Sequence, residues 1–567
     1  DMAGALAPAI REAQKIAKAD GRELYFVASV CGTRQDPQDY DRAVAELKEC
    51  GVLVEESNAR AIRLALKLKG IDYKENTRGH VEAAVDETPL PEPDEKIMEL
   101  LNTKPRVINV GVRSFNDSIV AYNGTSVQFD WKPMAGGNKH FIHLINELNK
   151  RKEIDTMNQK VVERFKDAQP FLIDVVPAVS VIPELNGKVL LHAGPPIEYK
   201  DMTGPMQGSC IGAILFEHWC ETEEEAKALL ESGGVKFIPC HHVHAVGPMG
   251  GITSANMPVM VVENRLDGTR AYCIMNEGIG KVLRFGAYSK EVVDRLTWMQ
   301  KVLGPVLGAA IRSKEGGINL NVIIAKAITM GDEFHQRNIA ATLNFLKEVV
   351  PYIIALDWDR EEIQQVVEFL ANTDQFFLNV MMATGKSIAD AARKLEEGCV
   401  VTAMTRNGRN FGIRISGMGD QWFTAPVNTP KGLYFTGFCE ADGNPDIGDS
   451  AITETVGVGG MSMIAAPGVT RFVGAGGFED ALRVSNEMQQ ICITHNPNFV
   501  IPTWDFKGSP LGIDIRKVVA TGITPLINTG IAHKVAGIGQ VGAGTVRAPL
   551  GCFEKALEAY AKKLGIE

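Results

Sequence analysis

Long apolar runs are missing from this 567-residue chain. No stretch of about 18 apolar residues occurs, which excludes a membrane-spanning helix. Positive charge is also scarce. Fifty-nine Lys and Arg against 69 Asp and Glu give a formal net charge of −10, where a nucleic-acid binder needs a basic face. None of the ten cysteines forms a Cys-x-x-Cys pair. In a chain of this size they read as reduced thiols of a cytoplasmic protein, not as a disulfide framework or a zinc motif. The chain does not open on a charged and then apolar leader, so no secretory signal is expected. Also missing are a Gly-x-Ser-x-Gly elbow, a Ser-His-Asp signature, a Walker Gly-x-x-x-x-Gly-Lys-Ser/Thr loop and a repeat of solenoid period. These absences remove the standard nucleophilic hydrolases, the P-loop enzymes and the repeat scaffolds.

What is present is ordinary globular composition, 45% apolar and 23% charged, with 56 glycines. The length predicts roughly three to five domains. The expected fold class is a multidomain mixture of α/β and α+β. A partial flavodoxin-like parallel α/β unit comes first, then a Gly-rich mixed body with a helical subdomain inserted. Residues 1–83 alternate helix (3–19, 41–50, 58–68) with short strands (23–30, 51–54), and Asn58 is the expected cap of the third helix. Two short strands do not make a stable sheet alone. This segment therefore reads as the back half of a domain whose front half is missing, cleaved or on another chain. Residues 84–104, with their prolines and acidic side chains, read as an extended linker. Residues 105–168 read as a small βαβ element followed by amphipathic helix. The body is expected as 169–290, rich in strands, the helical 291–398, and 399–567, again strands and Gly-rich turns with a closing helix at 550–564.

Several clusters carry chemistry. In Cys240–Asn256 three imidazoles lie within four residues. On a strand, His242 and His244 would share one face and His241 the other. Such a pair could bind zinc with a carboxylate, serve as acid or electrophile, or simply bond backbone carbonyls in the core. Gly250, Gly251, Thr253 and Ser254 follow, as a backbone that could wrap an anion. Asn276–Gly286 places Asn276, Lys281 and Arg284 around a Gly-x-Gly-Lys turn suited to a small anion or to a plain surface turn. Arg406 and Arg409 flank the Asn407-Gly408 hairpin turn. Arg414 alternates with Ile413 and Ile415 on the next strand, and its planar fork suits a carboxylate or phosphate. Residues 444–468 combine Asp446, Asp449 and Glu454 with glycines, and helix capping by Asp449 or Ser450 is the bland alternative. Arg471, His533 and Arg547 stand beside further glycines. Asp332 and His335 are spaced to pair on a helix. Separate, unclustered cations suit a small, doubly anionic substrate set.

Three further stretches, Leu191–Pro196 (LHAGPP), Met202–Met206 (MTGPM) and Phe237–Ser254 (FIPCHHVHAVGPMGGITS), belong to a longer pattern. It continues through NEGIGKVLRFG at 276–286, MGDEFH at 330–335, MGDQWFTAPV at 418–427, GDSAITET at 448–455 and ITPLINTGIAHK at 523–534. Over some 400 residues, in order, these resemble the YlbE/AllG family, the large subunit of bacterial oxamate carbamoyltransferase. The piece at 106–137 resembles that family's short leading segment. Residues 1–70, with Cys31-Gly32-Thr33 closing the first strand, resemble the back half of the succinyl-CoA synthetase CoA-ligase domain carried by FdrA/AllF-type proteins. The resemblances imply a natural fusion of the two subunit types without its N-terminal part. They imply a cytoplasmic, oligomeric carbamoyltransferase working with other subunits of that enzyme on phosphate or carbamoyl phosphate and oxamate or oxalurate. No metal or redox cofactor is required, and neither nucleic acid nor membrane is involved. For the reaction so implied the sequence offers, as candidates, Lys281, Arg284, Arg406, Arg414, Arg471 and Arg547 for the anions, His242 or His533 for the carbamoyl oxygen, and Glu454 to orient an imidazole. A metal-dependent hydrolase using His241–His244 and a non-catalytic scaffold subunit are the alternatives.

Overall fold

A computed structural model describes residues 2–35, 37–73, 92–129, 131–278 and 280–566. Two compact units emerge. One runs to Arg106 and includes Asn123–Thr125; the other comprises Val107–Tyr122 and the chain from Ser126 on.

In the first unit, helices Met2–Ala19, Tyr40–Glu49 and Asn58–Leu68 accompany strands Val27–Ser29 and Leu53–Glu55, which pair in parallel. Ala3, Ala7, Ile10, Leu47, Cys50 and Val52 form its small core. The third helix is capped by Ser57, whose Oγ accepts from the Arg60 N–H at 3.3 Å, and not by Asn58 as the sequence suggested. Serine one position earlier does the same work because its backbone is extended there. The expected linker is partly helical. Glu95–Asn102 forms a helix with Asp94 accepting from the Lys96 N–H at 2.8 Å. Residues 84–91 of that linker, and 74–83 before it, lie outside the described residues.

The second unit holds a mixed set of sheets and helices around one large core. A five-stranded sheet has the order Ile318–Asn319, Pro170–Pro177, Pro258–Asn264, Thr269–Ile274, Ala245–Val246, antiparallel except for the last pair. The stretch 291–398 is helical as the periodicity predicts. Its helices pack directly on this sheet, and Ile318–Asn319 supplies the sheet's edge strand. Next comes an antiparallel four-stranded sheet in the order Phe423–Pro426, Asn410–Ile415, Val401–Asn407, Ile447–Gly448. The Asn407-Gly408 turn joins its two central strands as expected, with Gly408 at φ 78°.

The helix Phe376–Arg393 is buried along almost its whole length and packs on strands of both sheets. A helix buried all round should be apolar. This one carries Asn379, Lys386 and Asp390 inside, each with no more than 1% exposure. Burying charge is costly unless it is paired, so these residues mark where the interior does something besides packing.

Candidate anion site

The segment after Pro239 decides where the imidazoles go. Cys240–Val243 is a short 3₁₀ turn and His244 is left-handed at φ 57°. The strand alternation expected for His241–His244 therefore fails, because a tight turn rotates successive side chains to different sides. His241 is buried, and its ring meets Trp422 edge-on with centroids 5.6 Å apart. His242 accepts the Trp422 indole N–H at 2.9 Å. His244 places Nδ1 2.7 Å from Asp390 Oδ2. The premise of a shared metal face is thereby corrected. Among the described residues, no three His, Cys, Asp or Glu side chains gather as metal ligands.

Around these rings lie three cations facing two carboxylates. Lys386 Nζ is 2.7 Å from Asp390 Oδ1, one helical turn on. Arg393 reaches Asp390 at 3.4 Å and Asp420 at 2.6 Å. Arg414 Nη1 contacts Asp420 at 3.2 Å and the His241 carbonyl at 3.3 Å, while its guanidinium lies 4.2 Å from the Trp422 ring centre. Burial pulls the Lys386 ammonium down to about 8 against the opposing pull of Asp390. Burial also pushes the Asp390 carboxyl up, but Lys386, His244 and Arg393 outweigh it and hold the group well below the carboxylate range. Burial lowers Arg414 to about 10, so it stays charged at neutral pH. Burial, and then Arg414, lowers His242. Burial holds His241 far below its ordinary value, and brings His192, packed on its own Ala193 carbonyl, to about 4.

Several polar atoms here are orphaned. Arg414 Nε and Nη2, and both ring nitrogens of His241, are buried without a hydrogen-bond partner among the described residues. Nearly every buried donor in a folded protein finds an acceptor, and an unmet charged one is expensive. A bound anion would satisfy the guanidinium edge.

Asp449 sits behind this cluster. Its carboxylate accepts from Gly194 N at 2.9 Å, from Gly247 N at 3.0 Å and from the Thr405 hydroxyl, and lies 3.7 Å from His241 Nε2. Burial raises its carboxyl. It therefore ties two loops to the strand Val401–Asn407, and neither it nor Ser450 supplies the side-chain cap expected for the following helix. Gly194 is irreplaceable there, since at φ 89° a Cβ would lie 2.4 Å from the Asn407 Cβ.

The other candidates are distributed elsewhere. Arg406 is completely engaged: Nε and Nη2 on Asp446 at 2.7 and 3.2 Å, Nη1 on the Gly448 carbonyl and Ser450 Oγ, Nη2 also on Thr529 Oγ1. It has no donor left for a substrate. Glu454 does orient an imidazole, that of His335, at 2.8 Å, and also accepts from Gly460 N and Asn528 N. His335 thus pairs with Glu454, while Asp332 instead accepts from Ala341 N, because residues 332–338 are not helical. The backbone N–H groups of Gly250 and Gly251 are spent on the Arg284 and Pro248 carbonyls and that of Thr253 on Leu191, so this turn is no anion nest. Gly251, at φ 65°, is required because a Cβ would lie 2.6 Å from Ala193. Ser254 Oγ is buried and unpaired among the described residues. Asn276, Lys281 and Arg284 line a separate cavity. Arg471 is exposed at the end of helix Pro467–Phe472. Arg547 is held by Glu487 at 2.6 Å and the Thr524 carbonyl at 2.8 Å. His533 accepts from Val535 N at 2.9 Å and stands edge-on to Phe438. Of the residues the sequence offered for substrate roles, only His242 and Arg414 meet in the cation cluster, beside His241 and His244 of the same segment.

Lys386, Asp390, Arg393, Asp420, Trp422 and His192 escaped sequence reasoning. The available signal was Lys386 and Asp390 at i and i+4 within an otherwise apolar helix, a spacing that only burial makes informative.

Comparison with known proteins adds a frame. The oxamate carbamoyltransferase subunit AllG family profile matches residues 235–450, and the CoA-ligase profile matches residues 1–68. Oxamate carbamoyltransferase subunit AllG of Escherichia coli K12 is 62% identical over 410 residues, 72% of this chain and 98% of that protein. The uncharacterized protein YahG of the same strain is 42% identical over 463 residues, 81% of this chain and 98% of its own length. A crystal structure of a conserved protein of unknown function from Enterococcus faecalis V583 superposes with a TM-score of 0.71 at 43% identity, covering 72% of this chain and 98% of that one.

Proposed function

The chain belongs to the oxamate carbamoyltransferase subunit AllG family, and we propose that it takes part in carbamoyl transfer between phosphate and oxamate, with the Arg414 cluster binding a reacting anion. The relative named for that activity supports the reaction class. The observation that carries the site is Arg414, a buried guanidinium with two unpaired donors beside His241 and the Lys386–Asp390 pair.

In the catabolic direction a phosphate oxygen attacks the carbamoyl carbon of oxalurate. The new C–O bond forms, the C–N bond breaks, and the departing nitrogen takes a proton to give oxamate and carbamoyl phosphate. Both substrates are anions, so the first requirement is to hold like charges together. The edge of Arg414 offers the paired donors a phosphate or carboxylate accepts, and Lys386 and Arg393 add positive potential. Negative charge develops on the carbamoyl oxygen during attack, and a fixed donor there is worth more in this dry setting than in water. His242, held by Trp422, and His241, with both ring nitrogens unpaired, are the nearest imidazoles. Lys386 is lowered close enough to neutrality to hand a proton to the leaving nitrogen and take back the one that the attacking hydrogen phosphate loses. Orientation of two small substrates supplies much of the remaining acceleration. No step requires a metal or redox group.

The test is phosphate-dependent breakdown of oxalurate followed as carbamoyl phosphate, with this chain alone and then with candidate partner subunits. Turnover that falls at least a hundredfold in Arg414→Ala, with assembly intact, supports the reading. Turnover only in the mixture assigns the chain an essential subunit's role. No carbamoyl phosphate from any mixture of folded proteins sinks the substrate assignment, and undiminished turnover in Arg414→Ala sinks the site.

A further inference from the structure

A second charged cavity lies apart from the Arg414 cluster. It encloses about 530 Å³ and is lined by Asn276, Gly278, Lys281, Arg284, Gln375 and Phe435, among others. Arg284 donates Nη2 to the Gly278 carbonyl at 3.0 Å, while its Nη1 is buried without a partner among the described residues. Its backbone N–H is taken by the buried Glu277, which also accepts from Leu283 N. The arginine is therefore clamped in place with one charged donor unspent.

The rest of the lining differs from a plain phosphate site. Asn276 is wholly occupied, donating to the Gln375 carbonyl and Asn379 and accepting from Gly278 N. Gln375 donates Nε2 to the Gln336 carbonyl, and Gln540 donates Nε2 to the Gly542 carbonyl. Each amide is thereby left with its oxygen as an acceptor. Asp374 also lines the cavity. Phe435, 43% exposed, offers a flat apolar face at the rim with Ile538. A ligand that fits has one anionic end for Arg284 and Lys281, several N–H donors for the amide oxygens, and a planar body to lie on Phe435. Inorganic phosphate meets the first condition only.

We infer that this cavity is a second ligand site, taking a carboxylate that bears a planar urea or amide group, with Arg284 on the carboxylate and the Gln375 and Gln540 oxygens on the N–H groups. The two sites are joined through one turn. Gly247 N donates to Asp449 behind the cation cluster, and three residues on Gly250 N donates to the Arg284 carbonyl at 3.1 Å.

Calorimetric titration of the full chain with N-carbamoylglycine, and separately with inorganic phosphate, tests this. N-carbamoylglycine should bind wild type, weaken at least tenfold in Arg284→Gln, and bind Arg414→Ala unchanged. Phosphate should show the reverse dependence. Should Arg284→Gln not fold, Phe435→Ala changes only a rim residue and is expected to weaken N-carbamoylglycine severalfold. No binding to wild type, or binding that survives both cavity variants, or binding lost in Arg414→Ala, overturns the inference. It stands apart from the carbamoyl-transfer reading, which fails on turnover and not on binding at Arg284.

Discussion

Arg406 and Arg414 lie on neighbouring strands of one hairpin, with side chains 0% and 1% exposed, yet they have opposite environments. Every donor of Arg406 has a protein acceptor, and Asp446 sits squarely against it. Arg414 has a largely exposed partner, Asp420, a carbonyl and an aromatic face, and keeps two donors unpaired among the described residues. Sequence cannot separate the two, since each is an arginine in a strand near a turn. The pair teaches that burial and charge alone do not mark a ligand site; the incomplete hydrogen-bond inventory does.

The largest effect should come from the satisfied member. Arg406→Ala leaves Asp446 buried without its cation and should cost about 3–5 kcal/mol of stability by denaturant titration. A loss below about 1 kcal/mol would erase the contrast. Arg414→Ala should do the opposite, changing unfolding free energy by about 1 kcal/mol while lowering turnover by roughly 10²–10³-fold, the usual toll of removing a donor aimed at developing charge. Arg414→Lys should not restore it, because an ammonium cannot present a planar fork. Equal losses of stability and activity at the two positions would reduce Arg414 to a second Arg406.

A neutral ring near His242 sharpens the contrast through pH. Burial brings His192 from 6.5 to about 4. Between these values the unfolded chain takes up a proton that the folded chain refuses. Stability is therefore whole above pH 6.5 and falls on acidification toward pH 4, by up to ~1.4 kcal/mol per pH unit. His192→Asn should flatten that slope in denaturant titrations across the window. A slope unchanged by the substitution would show that the ring is not held neutral.

Much of the framework was legible in the pattern. The opening helices, the helical 291–398 stretch, the Asn407-Gly408 hairpin and the closing helix all follow from periodicity and turn chemistry, which act locally. The site was legible only in part. His242 and Arg414 were within reach because they stand in dense or alternating motifs. Lys386 and Asp390 were not, because in sequence they look like an exposed ion pair on a helix face. Only the packing of that helix between two sheets turns them into buried charges. The carboxylates of 444–468 misled for a similar reason: Asp449 caps nothing nearby but receives N–H groups from Gly194 and Gly247, more than 200 residues away. Likewise the glycines at 250–251 looked like a nest, but their N–H groups are consumed by tertiary contacts that no local rule anticipates.

Lys386 carries the comparison to its smallest measurable step. If the unpaired edge of Arg414 holds an anion, the ammonium beside it should help, and only while it is charged. Burial places its titration at about 8, so anion affinity should be level below that value, weaken as pH rises through it and level off once Lys386 is neutral, with Arg414 still in place. Sulfate is the suitable probe, because it stays doubly charged throughout and leaves the protein as the only titrating partner. Lys386→Met should bind sulfate more weakly and remove the pH dependence. Pairing it with Asp390→Asn keeps a lone carboxylate from being buried, so that folding and binding are read separately. Were Arg406 the anchor instead, its complete set of protein acceptors would leave sulfate binding weak at every pH and indifferent to Lys386.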